Sequence, residues 1–134
     1  MPLNSADKKS IIAYRIEKSA NTMTEAKDNA LMGHWSLVAN RLYYSVFHMA
    51  AALLLDQGIH FKSHAGAMRA IGLHFVTKGL LTQEEGKLIS KLEGMRNTGD
   101  YDDLFDWKEE QILPLFEPTQ QLLANMKKLI MSIA

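Results

Sequence analysis

Between Gly33 and Gly58 the chain reads GHWSLVANRLYYSVFHMAAALLLDQG. No proline or internal glycine interrupts the run, and it is too long and too evenly apolar for an ordinary strand. Turned at about 100° per residue, it puts Trp35, Ala39, Leu42, Val46, Met49 and Leu53 on one face. Tyr43, Phe47 and Leu54 widen that face past half the circumference. A helix apolar over most of its girth is covered by neighbours on several sides, so the stretch predicts the central helix of an all-α bundle. Its remaining arc carries Arg41, Tyr44, Ser45 and His48, with Ala52 and Leu55 beside them. Hydrogen-bonding side chains clustered on a core helix mark a candidate site.

On the N-terminal side, Ser5 with Asp7 reads as a helix start, an N-cap followed by an acid in the first turn. Ile12, Ile16, Ser19 or Ala20, Met23, Ala26 and Ala30 continue as a helical stripe to the Leu31–Gly33 break, and Lys8, Lys9, Lys18 and Lys27 fall mostly on a solvated face. On the C-terminal side, Gly58 reads as the stop of the central helix. After a short connector, Ser63 reads as the N-cap of a third helix, with His64, Ala65 and Gly66 in its first turn. Ala67, Ile71 and Phe75 form its stripe, and Lys78-Gly79 its stop. Thr82 to Glu85 has the form of a capping box and opens a fourth helix, with Leu88, Ile89, Leu92 and Met95 on its buried side and Gly99 at its expected end.

A loop through Tyr101, Asp102 and Asp103 leads to a last helical region, about Trp107 to Ser132. Pro114 and Pro118 are expected to kink or break it, because each removes a backbone donor and clashes with the preceding turn. Leu122, Met126, Leu129 and Ile130 make its second part amphipathic. No stretch alternates with period two and no hairpin dipeptide occurs. The expectation is one domain over residues 1–134, an all-α bundle of five helices.

Composition narrows the function classes. The 15 basic and 15 acidic side chains cancel, so the chain lacks the global basic excess of a non-specific duplex binder, while a local basic site remains open. Absence of cysteine excludes a disulfide framework and a thiolate metal site and fits a cytoplasmic protein. The N-terminus MPLNSADKKS has no apolar stretch after its lysines, hence no signal peptide, and no run approaches the ~20 apolar residues of a membrane span. No paired His or Glu-x-x-His arrangement suggests a metal, no glycine loop suggests a phosphate cradle, and no cofactor is implied.

Three local groups stand out: Arg41-Leu-Tyr-Tyr44 with His48, Ser63-His64, and Arg96-Asn-Thr-Gly-Asp-Tyr101. On the fourth helix Arg96 falls between Leu92 and Ile89, pointing towards the bundle or along its edge, where a guanidinium needs an acceptor. Asp100, Asp102 and Asp103 are the local candidates. Read structurally, Arg96 sits near a helix C-terminus and pairs with Asp100. Arg41 and Tyr44 read as a buried hydrogen-bond network that holds Arg96 or its loop in place. His64 is either a loop-pinning hydrogen bonder or part of an anion site at a helix N-terminus. His34, His60 and His74 carry no pattern, Glu109 and Glu110 read as helix-start acids, and the eight methionines as core filler.

Taken in order, Asn-Arg-x-Tyr-Tyr-x-x-Phe-His (Asn40–His48), Ser-His-x-Gly (Ser63–Gly66) and Arg-x-x-x-Asp-Tyr (Arg96–Tyr101) resemble the small single-domain HEPN proteins of prokaryotes, over about residues 10–130. The resemblance implies a four-to-five-helix up-and-down bundle, commonly a homodimer. It also implies a setting in which many members are encoded beside a minimal nucleotidyltransferase, as toxin and antitoxin. Several branches are metal-independent ribonucleases whose signature is Arg, four to six residues, then His. Here Tyr101 stands five residues after Arg96, and no histidine follows position 74.

Metal-independent RNA cleavage needs a base for the 2′-hydroxyl, an acid for the leaving oxygen and a cation for the phosphorane. Arg96 suits the cation, with Asp100 to orient it. Tyr101, with an ordinary pKa near ~10, is a poor base, so the histidine has to come from elsewhere, His64 first and His48 second. Two expectations follow: a homodimeric nuclease acting on single-stranded RNA, or a non-catalytic module binding a nucleotidyltransferase partner or a nucleotide.

Overall fold

The computed structural model describes residues 4–101 and 106–133, with side chains to residue 98 and from 106 to 130. The opening stretch forms helix α2, Trp35–Asp56. Glycines bound it for a conformational reason. Gly33 closes the preceding helix and Gly58 closes α2, at φ of 74° and 71°, where a Cβ is strained. In each case the glycine N–H and the next residue's N–H turn back onto the helix. Gly58 donates to the Leu55 carbonyl and Ile59 to Leu54, as Gly33 does to Ala30 and His34 to Asn29. This Schellman pattern satisfies carbonyls that the helix end would otherwise orphan.

Around α2 stand α1 (Ser5–Leu31), α3 (His64–Ile71), α4 (Gln83–Tyr101), α5 (Glu109–Ile112) and α6 (Phe116–Ile133), and each of them touches it. α1 packs along it most extensively, after a three-residue turn. Val38, Leu42, Tyr43, Leu53 and Leu54 have no accessible surface at all, so α2 is the core helix that its girth of apolar residues demands. Met23, Met49, Met68, Met95 and Met126 fill gaps around it, whereas Met32 is exposed.

Several local expectations are revised. The α1 cap is Asn4, whose side-chain oxygen accepts from the Asp7 N–H at 2.8 Å, and Ser5 is already helical. α4 runs through Gly99 to Tyr101, because glycine permits a left-handed stop without requiring one. Pro114 breaks the C-terminal region with a 3-10 turn, Leu113–Leu115, between α5 and α6. Pro118 breaks nothing, since it lies in the first turn of α6, where the missing N–H has no intrahelical partner to lose. The expected loop through Asp102 and Asp103 lies outside the described residues.

Two caps follow the sequence directly. The Ser63 Oγ accepts from the Gly66 N–H at 2.9 Å and starts α3, which runs on as a π-helical turn, Gly72–Val76. At the start of α4, the Glu85 N–H donates to the Thr82 hydroxyl at 3.0 Å and the Thr82 N–H donates to Glu85 Oε1 at 2.9 Å. The second Glu85 oxygen accepts from the Asn125 amide at 2.7 Å and ties α4 to α6. No helix among the described residues is long and apolar enough to cross a membrane.

Candidate functional site

The polar arc of α2 divides when the bundle closes. Ser45 is fully buried against α1: the Ser19 hydroxyl donates to the Ser45 carbonyl at 2.7 Å, and the Ser45 hydroxyl donates to the Leu42 carbonyl. It belongs to the core. Arg41, Tyr44 and His48 stay half-buried on the adjoining side.

There Tyr44 is the centre of a cluster built from three helices. The Arg41 guanidinium lies 5.4 Å from the centre of the Tyr44 ring and the Arg96 guanidinium, from α4, lies 5.6 Å from it. His64, in the first turn of α3, has its ring 5.6 Å away, edge-on. Arg96 lies one turn beyond the buried Leu92, which explains why it reaches inward, and it also sits 5.5 Å from the ring of Tyr43. Guanidinium over aromatic rings is an attractive arrangement, about 0.5–2 kcal/mol per contact according to desolvation. The Phe47 and His64 rings pack edge to face, 4.4 Å between centres.

The expected hydrogen-bond network between Arg41 and Tyr44 is replaced by these ring contacts. Arg41 hydrogen-bonds to Asn40 Oδ1 at 2.7 and 3.0 Å and to Glu25 Oε1 at 3.1 Å. Among the described residues the Tyr44 hydroxyl makes no hydrogen bond, so Tyr44 acts through its ring. Ser63 uses its oxygen on the α3 cap, which fixes where His64 starts. The roles expected of Asp100 and Tyr101 rest on side chains outside the described residues.

Electrostatics set His48 apart. Burial first, and then Lys18, Arg41, His64 and Arg15, push the His48 imidazole down to about 4. At neutral pH it is uncharged and too weak a base to take a hydroxyl proton efficiently. His64 shares the Tyr44 ring with Arg96. The sequence puts Tyr43 on the apolar face and within the Asn40–His48 motif, without a site role of its own. Its fully buried ring also carries Arg96, and its phenol is pushed up to about 12, by burial first and then by Glu93. The adjacency of Tyr43 and Tyr44 was the available signal, since neighbouring helical residues 100° apart can present one face to the core and another to its rim. Among the described residues no three metal-ligating side chains converge.

The HEPN domain family matches residues 12–129, which span α1 to α6. The chain belongs to the HEPN domain family. A UPF0332 protein of Thermotoga maritima is 31% identical over 124 residues, 92% of this chain and 94% of its own. Two proteins of Methanocaldococcus jannaschii, both named as candidate toxins, are also similar. One is 33% identical over 69% of each chain, and the other is 30% identical over 87% of this chain and 80% of its own. The HEPN bundle thus extends over nearly the whole chain, and the cluster around Tyr44 lies within it.

Proposed function

We propose that this HEPN protein is the RNA-directed member of a toxin–antitoxin pair, a metal-independent endoribonuclease whose site is the cluster of Arg96, His64 and Tyr44. The observation that carries the reading is the convergence of the Arg96 guanidinium and the His64 imidazole on one ring, each 5.6 Å from its centre. In the reaction His64 takes the 2′-hydroxyl proton and the oxygen attacks the adjacent phosphorus. Arg96, oriented by Asp100, stabilises the phosphorane, and the 5′-oxygen departs with a proton. Tyr101 is the proton donor proposed within the motif. The products are a 2′,3′-cyclic phosphate and a 5′-hydroxyl. The similarity to proteins named as candidate toxins supports the biological setting, in which a nucleotidyltransferase serves as antitoxin. A homodimer, with the Arg96–Tyr101 segments of two copies facing one cleft, is the assembly proposed.

The experiment is cleavage of a single-stranded RNA by the purified protein, with a chelator present, beside Arg96→Ala and His64→Ala. Wild type is expected to yield cyclic-phosphate ends without metal, and each variant to lose about 100-fold in rate or more. No cleavage by wild type, or variants as active as wild type, sinks the nuclease reading. Light scattering at micromolar concentration tests the dimer, and a monomer would contradict it.

A second reading is motivated by Tyr101, which stands where the family signature allows a histidine. In it the same cluster binds a nucleotide or the nucleotidyltransferase partner without cleaving. It expects ligand-induced thermal stabilisation in wild type, lost in Arg96→Ala, with RNA left intact.

A further inference from the structure

We propose that the groove between α1 and α2, walled by Tyr14, Lys18 and Arg41, binds the nucleotides flanking the phosphate engaged at Arg96 and His64, as an extended single strand of RNA. This rests on the reading of the Arg96–His64 cluster given above, and adds to it a second binding region and a preference for unpaired substrate. The groove has a volume of about 370 Å³, and Asn21, Glu25 and His48 also line it.

Three observations support it. The first is continuity. Arg41 forms part of the groove wall, and its guanidinium lies 5.4 Å from the Tyr44 ring that Arg96 and His64 also approach. His48, another wall residue, has its ring 6.2 Å from the same ring. A strand leaving the Tyr44 cluster therefore enters the groove without crossing an intervening helix.

The second is the alternation of cations with aromatic rings. Tyr14 is 61% exposed on α1, and the Lys18 ammonium lies 5.8 Å from its ring centre. Beyond them come Arg41 and Arg96, both on the half-buried Tyr44 ring. Proteins that hold single strands combine cations along the phosphates with rings on which bases stack, and stacking requires unpaired bases. The Tyr14 ring has no part in the core, so its exposure leaves a face free for a base.

The third is the placement of the cations, because the lining itself is balanced, with Lys18 and Arg41 against Glu17 and Glu25. Lys18 and Arg15 from α1, Arg41 from α2 and His64 from α3 all act on His48, and all oppose its protonation. The carboxylates of the groove are Glu17 and Glu25, of which Glu25 is held 3.1 Å from Arg41. A phosphate entering the groove competes with Glu25 for Arg41. Glu25 therefore weakens binding, and neutralising it should tighten the complex.

The test is fluorescence anisotropy with the full chain and labelled single-stranded RNAs of roughly three and roughly twelve nucleotides, spanning the cluster alone or cluster and groove. Wild type should hold the longer RNA at least about tenfold more tightly than the shorter. Tyr14→Ala and Lys18→Glu should each cost roughly fivefold or more on the longer RNA and leave the shorter unchanged, whereas Glu25→Gln should tighten the longer one about threefold. Tyr14 and Lys18 are exposed, so their substitution does not disturb the core. Equal affinity for both lengths, variants indistinguishable from wild type, or a duplex bound as tightly as the single strand overturns the groove while leaving the Arg96–His64 cluster standing. Failure of wild type to bind either length overturns that cluster, and the groove with it.

Discussion

The two adjacent tyrosines of α2 illustrate how different the roles of neighbouring residues become. The Tyr43 hydroxyl is buried and, among the described residues, has no hydrogen-bond partner. Such a group costs about 1–3 kcal/mol of desolvation. Tyr43→Phe keeps the ring beneath Arg96 and removes that cost, so chemical denaturation should find it as stable as wild type or up to about 1 kcal/mol more stable. Tyr44→Phe should be close to neutral in stability, within about 0.5 kcal/mol, because the Tyr44 ring rather than its hydroxyl makes the contacts. A larger loss would restore the hydrogen-bonded role expected from the sequence.

His48 supplies the pH dependence. Its imidazole is held at about 4, against an ordinary value of 6.5, so the unfolded chain binds a proton that the folded chain refuses. Its contribution favours the folded state above about pH 6.5 and is progressively lost as the pH falls from there to about 4. His48→Gln should therefore flatten the acid decline of the melting temperature across that window. A parallel decline in both proteins would show that His48 is not its source.

At the scale of the element, helix ends position the chemistry. Ser63 caps α3 and His64 is its first residue, so loss of the cap should act on stability and on the site together. Ser63→Ala should cost about 1 kcal/mol in denaturant titrations and reduce cleavage or ligand binding, while Ser63→Asp, which can still accept from the Gly66 N–H, should restore both. Stability lost without any change at the site would mean that His64 does not depend on the α3 start.

Glu85 joins two elements, since one oxygen completes the α4 capping box and the other holds Asn125 of α6. The capping interaction was legible from Thr82 and Glu85 alone because it is local in sequence. Its extension to Asn125 was not, because it depends on α6 returning alongside α4. The same distinction explains Pro114 and Pro118: both forbid a helix interior, but only the packed chain sets which of them falls in a first turn.

Across the whole molecule, charge neutrality makes the nucleic-acid proposal unusually easy to test. With 15 positive and 15 negative side chains, little long-range attraction is available, and the proposed phosphate contacts are those of Lys18, Arg41 and Arg96. Three contacts at about 0.7 released counterions each give a slope near −2 for log affinity against log salt concentration on single-stranded RNA. A slope steeper than about −4 would require cations outside the groove and the Tyr44 cluster.

What the sequence determined by itself was the bundle: the apolar girth of Gly33–Gly58, the stops at Gly33 and Gly58, the Ser63 cap and the Thr82–Glu85 box are all encoded within a few residues of where they act. The three motifs were equally visible, as residues that a core helix and its neighbours have little packing reason to carry. Tertiary structure decided how those residues are used. It separated Ser45 from Arg41, Tyr44 and His48, brought Arg96 and His64 to one ring, and placed Lys18 and its neighbouring cations around His48. Periodicity specifies which face of a helix is apolar, but crossing geometry decides which polar side chain at the margin of that face meets which partner. The Gly33–Gly58 helix was legible as the core, and its rim became a candidate site only when α1, α3 and α4 closed around it.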